Sequence, residues 1–281
     1  MLETVRNIYE DIANRTKGDI YIGVVGPVRT GKSTFVKRFM ELLVIPNIEN
    51  IYQKERAKDE LPQSGSGKTI MTSEPKFVPE DAVSIIPNEN SKLSVRLIDS
   101  VGYMIPGVSG IIEDGKPRMV TTPWLEEEIP ITEAAELGTQ KVMETHATVG
   151  IVVTTDGSVT DLPREAYLDA ERKAIEDMKA TGKPFIILIN SNHPNSEATK
   201  CLQEEFKKKY QVISCAIDLA NMDEEQLKHI LTCILYEFPV KEFHISLPKW
   251  IDALEIEHPV KRRIYEWILE NGKNTGCVGN V

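Results

Sequence analysis

No apolar run in this sequence approaches the roughly 18 residues that a membrane-crossing helix needs. The start, Met1-Leu2-Glu3-Thr4-Val5-Arg6, shows no basic stretch leading into an apolar core, so no secretory signal is expected and the chain is placed in the cytoplasm. Cysteine is scarce. Cys201, Cys215, Cys233 and Cys277 lie far apart with no C-x-x-C among them, and two sit in apolar periodic stretches, so buried reduced thiols are expected over a zinc site or disulfides. Positive charge is also in deficit: 33 Lys and Arg against 43 Asp and Glu give a formal net charge of -10. Such a surface repels nucleic-acid phosphates and excludes general DNA or RNA binding as the role. Internal repeats and low-complexity tracts are missing too. What remains is an ordinary globular mixture, 41% hydrophobic and 27% charged, in a length that allows one or two domains.

Against these absences stands Gly26-Pro27-Val28-Arg29-Thr30-Gly31-Lys32-Ser33, preceded by the apolar run Ile20 to Val25 and followed by Thr34-Phe35-Val36-Lys37-Arg38-Phe39. Strand, glycine loop and helix are the context that the G-x-x-x-x-G-K-[ST] phosphate-binding pattern requires. A polyphosphate needs several N–H donors converging on one anion, and backbone supplies them only where no Cβ blocks its approach, hence Gly26 and Gly31. Lys32 reaches the β and γ phosphates, Ser33 offers its hydroxyl to Mg²⁺, and the positive end of the following helix faces the same charge. The expected nucleotide-binding set is therefore Gly26, Pro27, Val28, Arg29, Thr30, Gly31, Lys32, Ser33 and Thr34. Arg29 either touches phosphate or points into solvent.

Leu93 to Ile98 alternates apolar residues with Ser94 and Arg96 and reads as a half-exposed strand ending in Asp99-Ser100-Val101-Gly102. A carboxylate at that strand tip is placed to hold Mg²⁺, and Gly102 to aim an N–H at the γ-phosphate. Between helix and strand, Gln63 to Pro75 imitates a second phosphate loop but has Pro62 where glycine is needed and no apolar strand before it. It reads instead as a loop that closes over nucleotide, with Thr69, Thr72 and Ser73 as candidates for the metal shell and γ-phosphate, or as a plain Ser/Thr-rich loop. Tyr103 to Pro130, rich in glycine and proline, is expected to be an unstructured lid or partner surface.

Helices are expected over Leu2 to Ile12, Glu49 to Leu61, Thr132 to Thr145, Arg164 to Ala180, Glu197 to Lys209 and Asp223 to Tyr236. The strands expected among them are Lys76 to Pro79 with Val83 to Ile86, Val149 to Thr154, Pro184 to Asn190 and Gln211 to Ala216. The pattern predicts an α/β P-loop NTPase fold, three-layer αβα, with a mainly parallel sheet and an antiparallel edge hairpin. Residues 1–240 would form this domain with its N-terminal helix, and 241–281 a short C-terminal extension with a frayed end after Asn271.

Guanine-specific members of this architecture present N-K-x-D after the strand corresponding to Phe185–Asn190. Here the residues are Asn190-Ser191-Asn192-His193, so no carboxylate is offered to the guanine N1–H and N2–H₂ donors, and ATP is favoured over GTP. Asn190 remains a nucleotide-site candidate. The implied chemistry is Mg²⁺-dependent γ-phosphoryl transfer to water. It would be slow, because Tyr103 stands where small GTPases often carry a water-orienting glutamine.

The segments Gly18 to Gly26 with Val28 to Phe35, Asp59 to Ser64, Gly67 to Thr72 with Glu74 to Pro79, and Thr154 to Ser158 closely resemble the stage IV sporulation protein A family of endospore-forming Firmicutes. The resemblance runs from about residue 5 to about residue 250. It implies a translation-factor-class GTPase-like domain turned to ATP. Hydrolysis in that family drives self-association into a polymer, the basement layer of the spore coat. The layer lies on the forespore outer membrane surface in the mother-cell cytoplasm, where a small amphipathic membrane peptide and other coat proteins are partners. It further implies that Lys32, Asp99 and Thr72 match the family's Walker A lysine, Walker B aspartate and first sensor threonine, with Ser73 replacing the second threonine. Family members are much longer, so polymerisation belongs to the full-length proteins. The alternatives are a nucleotide-gated binding module with little turnover, or a GTPase; a small-molecule kinase is disfavoured for want of a compact arginine-rich lid.

Overall fold

The structure, a computed structural model, describes residues 12, 15–62, 74–88, 91–113, 115–240, 245–274 and 276–278. Strand β1 (Asp19–Val25) turns Ile20, Ile22 and Val24 into one apolar cluster and Val25 into a second. A strand buried on both faces has to lie inside a helix-covered sheet, which is why its sequence is a continuous apolar run. Helix α1 (Lys32–Phe39) follows the loop and packs Phe35, Val36 and Phe39 into the first cluster. Asn50 starts α2 (Ile51–Asp59) by accepting from the Tyr52 and Gln53 amides. Strand β2 (Lys76–Asn88) then folds back antiparallel on β3 (Ser91–Asp99).

Two small hairpins come next, β4 (Ile112–Glu113) with β5 (Lys116–Pro117) and β6 (Met119–Thr122) with β7 (Leu125–Pro130). From there strands and helices alternate: α3 (Ile131–Lys141), β8 (Val149–Thr155), α4 (Leu168–Ala180), β9 (Phe185–Asn190), α5 (Glu197–Tyr210), β10 (Ser214–Ile217) and α6 (Glu224–Tyr236). A single turn α7 (Lys249–Asp252) and the helix α8 (Pro259–Asn274) are the last helices described.

The main sheet runs β10-β9-β8-β1-β3-β2, with β2 the antiparallel edge and its other neighbouring pairs parallel. This is the expected three-layer αβα P-loop NTPase architecture. Helices α1 and α6 lie against the first cluster, α4 and α5 against the second. Register aligns the strand ends: Val24 with Asp99, Val25 with Val152, Thr155 with Asn190 and Asn190 with Ile217. The chain leaves β1 for β3 on one side and later for β8 on the other. That reversal opens a crevice at the carboxyl ends of the parallel strands, where ligands of such sheets bind.

Three expectations are corrected. The segment after Tyr103 is not structureless: Tyr103 and Ile105 enter the second cluster, and the two hairpins order much of the rest. Strand β10 begins at Ser214 rather than Gln211, because Gln211 ends α5 in a left-handed conformation with its amide on the Lys207 carbonyl. The described residues 276–278, within the stretch expected to fray, are held in place. Val240 donates to the Gly276 carbonyl and Val278 to the Phe238 carbonyl, with Val278 packed against the first cluster.

The predicted helix over Leu2 to Ile12 lies outside the described residues except for Ile12, which is buried. Thr69, Thr72 and Ser73 also lie outside them. Among the described residues no helix is long and apolar enough to cross a membrane.

Candidate nucleotide site

The loop between β1 and α1 is tied down through its backbone, by Tyr103 from outside and by Thr30 from within. Tyr103 donates to the Gly26 carbonyl at 3.1 Å, Val28 donates to the Tyr103 carbonyl at 2.9 Å, and the Thr30 hydroxyl returns to the Pro27 carbonyl at 2.9 Å. Gly31, at φ +102°, immediately precedes α1, and a Cβ there would fall 2.5 Å from Asn190 Nδ2. Asn190 is the reason for that crowding: its Nδ2 donates to the Thr30 carbonyl at 3.0 Å, and its Oδ1 accepts from the Leu219 amide at 3.2 Å. One side chain thus braces the loop, the end of β9 and the β10–α6 turn. The first amides of α1, beginning at Lys32 and Ser33, have no intrahelical acceptor and form the positive end of the helix.

Lys32 is buried, and its Nζ donates to the Pro27 carbonyl at 2.7 Å and the Gly26 carbonyl at 3.3 Å. Burial pulls its pKa down to about 8, against the opposing pull of the Asp99 carboxylate. Ser33 donates its hydroxyl to Asp99 Oδ2 at 2.6 Å. The other oxygen, Asp99 Oδ1, is buried and accepts no hydrogen bond from any described residue, and burial raises the pKa of this carboxyl. A buried carboxylate oxygen left unpaired is costly unless a cation takes it up. One hydroxyl and one orphaned carboxylate oxygen make an all-oxygen corner, the donor chemistry that suits Mg²⁺, beside a helix N-terminus that favours the anion the metal would accompany.

Gly102 closes the other side. Its φ is +93°, and a Cβ would meet the Gly26 carbonyl oxygen at 2.2 Å and Lys32 Nζ at 2.5 Å, so a side chain is excluded here. Its N–H, expected to aim at the γ-phosphate, has a protein acceptor in this structure. That N–H donates to Thr139 Oγ1 at 3.2 Å, and Thr139, fully buried in α3, donates in turn to the Ala135 carbonyl at 2.7 Å. The next residue, Tyr103, points away from the crevice: its ring is buried and its hydroxyl donates to Asp177 Oδ2 on α4 at 2.6 Å.

Arg29 stands at φ 65° with its guanidinium on Asp161 Oδ1 at 2.7 Å, so the structure shows neither of its two expected positions but a carboxylate pair bridging to the segment after β8. Pro27 and Val28 contribute backbone, and Thr34 is half-buried in the first turn of α1.

At the far end of the crevice Asp156 gathers donors. Its Oδ1 accepts from the Ser158 amide and hydroxyl at 2.9 and 2.6 Å, its Oδ2 from Ser191 and Thr199 hydroxyls at 2.5 and 3.2 Å. Burial pushes this carboxyl upward, but those hydrogen bonds outweigh it and hold the pKa below the usual carboxylate value. Asn192 joins the same shelf through its amide to Ser158 Oγ at 2.9 Å, and the His193 amide caps Ser191 Oγ at 2.9 Å.

Lys32, Ser33, Asp99, Gly102 and Asn190 are therefore brought to one edge. Sequence reasoning missed Thr139 and the binding partners of Asp156. Thr139 had left a trace: it lies on the buried stripe Ile131, Ala134, Ala135, Gly138 of α3, where a hydroxyl needs a partner.

A family model described as stage IV sporulation protein A, ATPase domain, matches residues 3–239. A stage IV sporulation protein A of Clostridioides difficile (strain 630) is 52% identical over 275 residues, covering 98% of this chain and 56% of that protein. Its namesake from Bacillus subtilis (strain 168) is 48% identical over 268 residues, 95% of this chain and 54% of that one. The chain thus spans about half the length of the curated relatives it matches. Among solved structures, the cytosolic domain of the T. maritima FeoB iron transporter aligns at 15% identity and TM-score 0.37, covering 88% of this chain and 72% of that one.

Proposed function

Because the chain belongs to the stage IV sporulation protein A family through that family's ATPase domain, we propose that it binds magnesium and a nucleoside triphosphate, ATP in preference to GTP, and hydrolyses it slowly. The observation that carries this reading is the Ser33–Asp99 pair with its unpaired buried oxygen beside Lys32. Ser33 and Asp99 would hold the metal, which when bound supplies charge neutralisation on the phosphate oxygens. The amides of 26–34 orient the triphosphate, and Lys32 balances its charge where water is largely excluded. Thr72 and Ser73 would complete the metal shell and register the γ-phosphate, as in the family's pattern.

The preference for ATP rests on the far shelf. Guanine recognition needs a carboxylate with two free acceptor oxygens, and Asp156 is filled by four donors while Asp218 accepts from the Ala220 and Asn221 amides. In competition for the Mg²⁺-loaded chain, ATP should displace GTP; GTP binding at least tenfold tighter overturns the assignment. Single-turnover hydrolysis that survives in Lys32→Ala would remove the catalytic reading.

In the longer proteins this module would drive self-association into the coat basement layer at the forespore surface of the mother-cell cytoplasm, with an amphipathic membrane peptide and coat proteins as partners. A second reading, a nucleotide-gated binding module with little turnover, is favoured by the engagement of the Gly102 N–H with Thr139 and of the Tyr103 hydroxyl proton with Asp177, which takes up the two donors nearest the place of a water-orienting glutamine.

A further inference from the structure

On the face of the molecule served by the first apolar cluster, three soft donors converge. Cys215 lies in β10, and His229 and Cys233 lie four residues apart on α6, so the two helical residues share one face. Cys215 Sγ and Cys233 Sγ are 3.3 Å apart, His229 Nε2 is 3.6 Å from Cys233 Sγ, and all three atoms lie within 4.8 Å of one another. Both thiols are buried, and His229 is exposed.

The sulfur separation is far longer than a disulfide bond of about 2.04 Å, so the pair is not covalently joined. Two thiols in a weak S–H···S contact would account for the sulfurs alone. The helical spacing adds the His229 nitrogen as a third ligand atom beside them. With metal–sulfur bonds near 2.3 Å and metal–nitrogen bonds near 2.0 Å, tetrahedral neighbours lie roughly 3.5–3.8 Å apart, close to the two short separations found here.

We propose that Cys215, His229 and Cys233 form a binding site for a thiophilic divalent cation, zinc by the softness of its donors, with the fourth corner left to water on the exposed His229 side. Two thiolates cancel the charge of a dication, so the unit that enters the core is neutral and its burial is tolerated. Entry is from the surface past the imidazole.

The consequence is a clamp between β10 and α6, across the turn 218–223. That turn carries the Leu219 amide bonded to Asn190 Oδ1 and the Met222 carbonyl that accepts from Arg38. Metal occupancy would therefore stiffen the segment that seats Asn190 against the phosphate loop. The proposal stands independently of which nucleotide is bound.

The test uses the full chain, reduced and stripped with a chelator, then titrated with Co²⁺ and Zn²⁺. Thiolate-to-cobalt charge-transfer absorption should saturate at one equivalent per chain and be bleached by Zn²⁺, and zinc should raise the melting temperature of the reduced protein. His229→Ala, a surface change that leaves the core intact, should weaken zinc binding by about tenfold or more. Cys215→Ala should abolish the charge-transfer band, and Cys201→Ser, at an exposed cysteine, should leave it unchanged. Absence of the band, zinc affinity equal to wild type in His229→Ala, or recovery of a Cys215–Cys233 disulfide with no zinc retained would each overturn it.

Discussion

Lys32 carries the sharpest pH signature among single residues. Burial outweighs the attraction of Asp99 and brings its pKa from 10.5 to about 8 in the folded chain. Between those values the unfolded chain holds the proton and the folded one releases it. The cost of burying the ammonium is therefore fully present below pH 8 and relieved as pH rises from there to 10.5. Triphosphate binding needs the charged form. Above pH 8, nucleotide affinity should fall by about tenfold per unit, with a proton taken up on binding. Calorimetry in buffers of different ionisation enthalpy reads that uptake, Lys32→Met should show none, and an affinity flat from neutral pH to well above 8 would contradict the assignment. This residue was legible in the sequence because a polyphosphate cradle demands an ammonium directly after a glycine whose Cβ has no room. The direction of its pKa was not legible, since it depends on how completely the fold, with Gly102 closing over it, buries the ammonium.

Among the elements, α3 joins the site through one hydroxyl. Thr139 takes the Gly102 amide that the strand-end D-x-x-G pattern suggested for phosphate, so the position of Gly102 is coupled to the packing of α3 on the sheet. Thr139→Val keeps the shape and leaves a buried N–H without its acceptor, which should cost roughly 1–3 kcal/mol in the nucleotide-free protein. If that amide turns to the γ-phosphate when nucleotide binds, the cost should shrink in the presence of a non-hydrolysable ATP analogue. Urea unfolding with and without the analogue distinguishes the cases, and equal losses in both would show that the amide never leaves Thr139. Alternation of apolar segments made the parallel strands and their helices readable. It could not reveal the two hairpins between Ile112 and Pro130, whose residues are mostly exposed and carry no buried face to impose a period of two. Nor could it reveal Tyr103, whose ring is buried in the second cluster with its hydroxyl on Asp177, 74 residues further along.

For the whole molecule, the site exists because one sheet edge collects loops that are distant in sequence, and Asn190 is the residue that makes those loops one object. The sequence showed Asn190 only as the surviving member of an altered N-K-x-D; its role as a brace between Thr30 and Leu219 comes from the strand order, which places β9 two strands from β1. The crowding between Gly31 and Asn190 gives a direct measure of that brace. Gly31→Ala alone carries two costs, the strain of a side chain at φ +102° and the collision with Asn190 Nδ2 at 2.5 Å. Asn190→Ala alone strands the Leu219 amide and the Thr30 carbonyl, for roughly 1–3 kcal/mol. In the double variant the collision is gone while the strain and the lost hydrogen bonds remain. The combined destabilisation should therefore be smaller than the sum of the single ones by roughly 0.5–3 kcal/mol, the range for residues in contact. Denaturant unfolding of the four proteins closes the cycle. Strict additivity would mean that the phosphate loop moves independently of β9, and the crevice would then be two surfaces that happen to be adjacent.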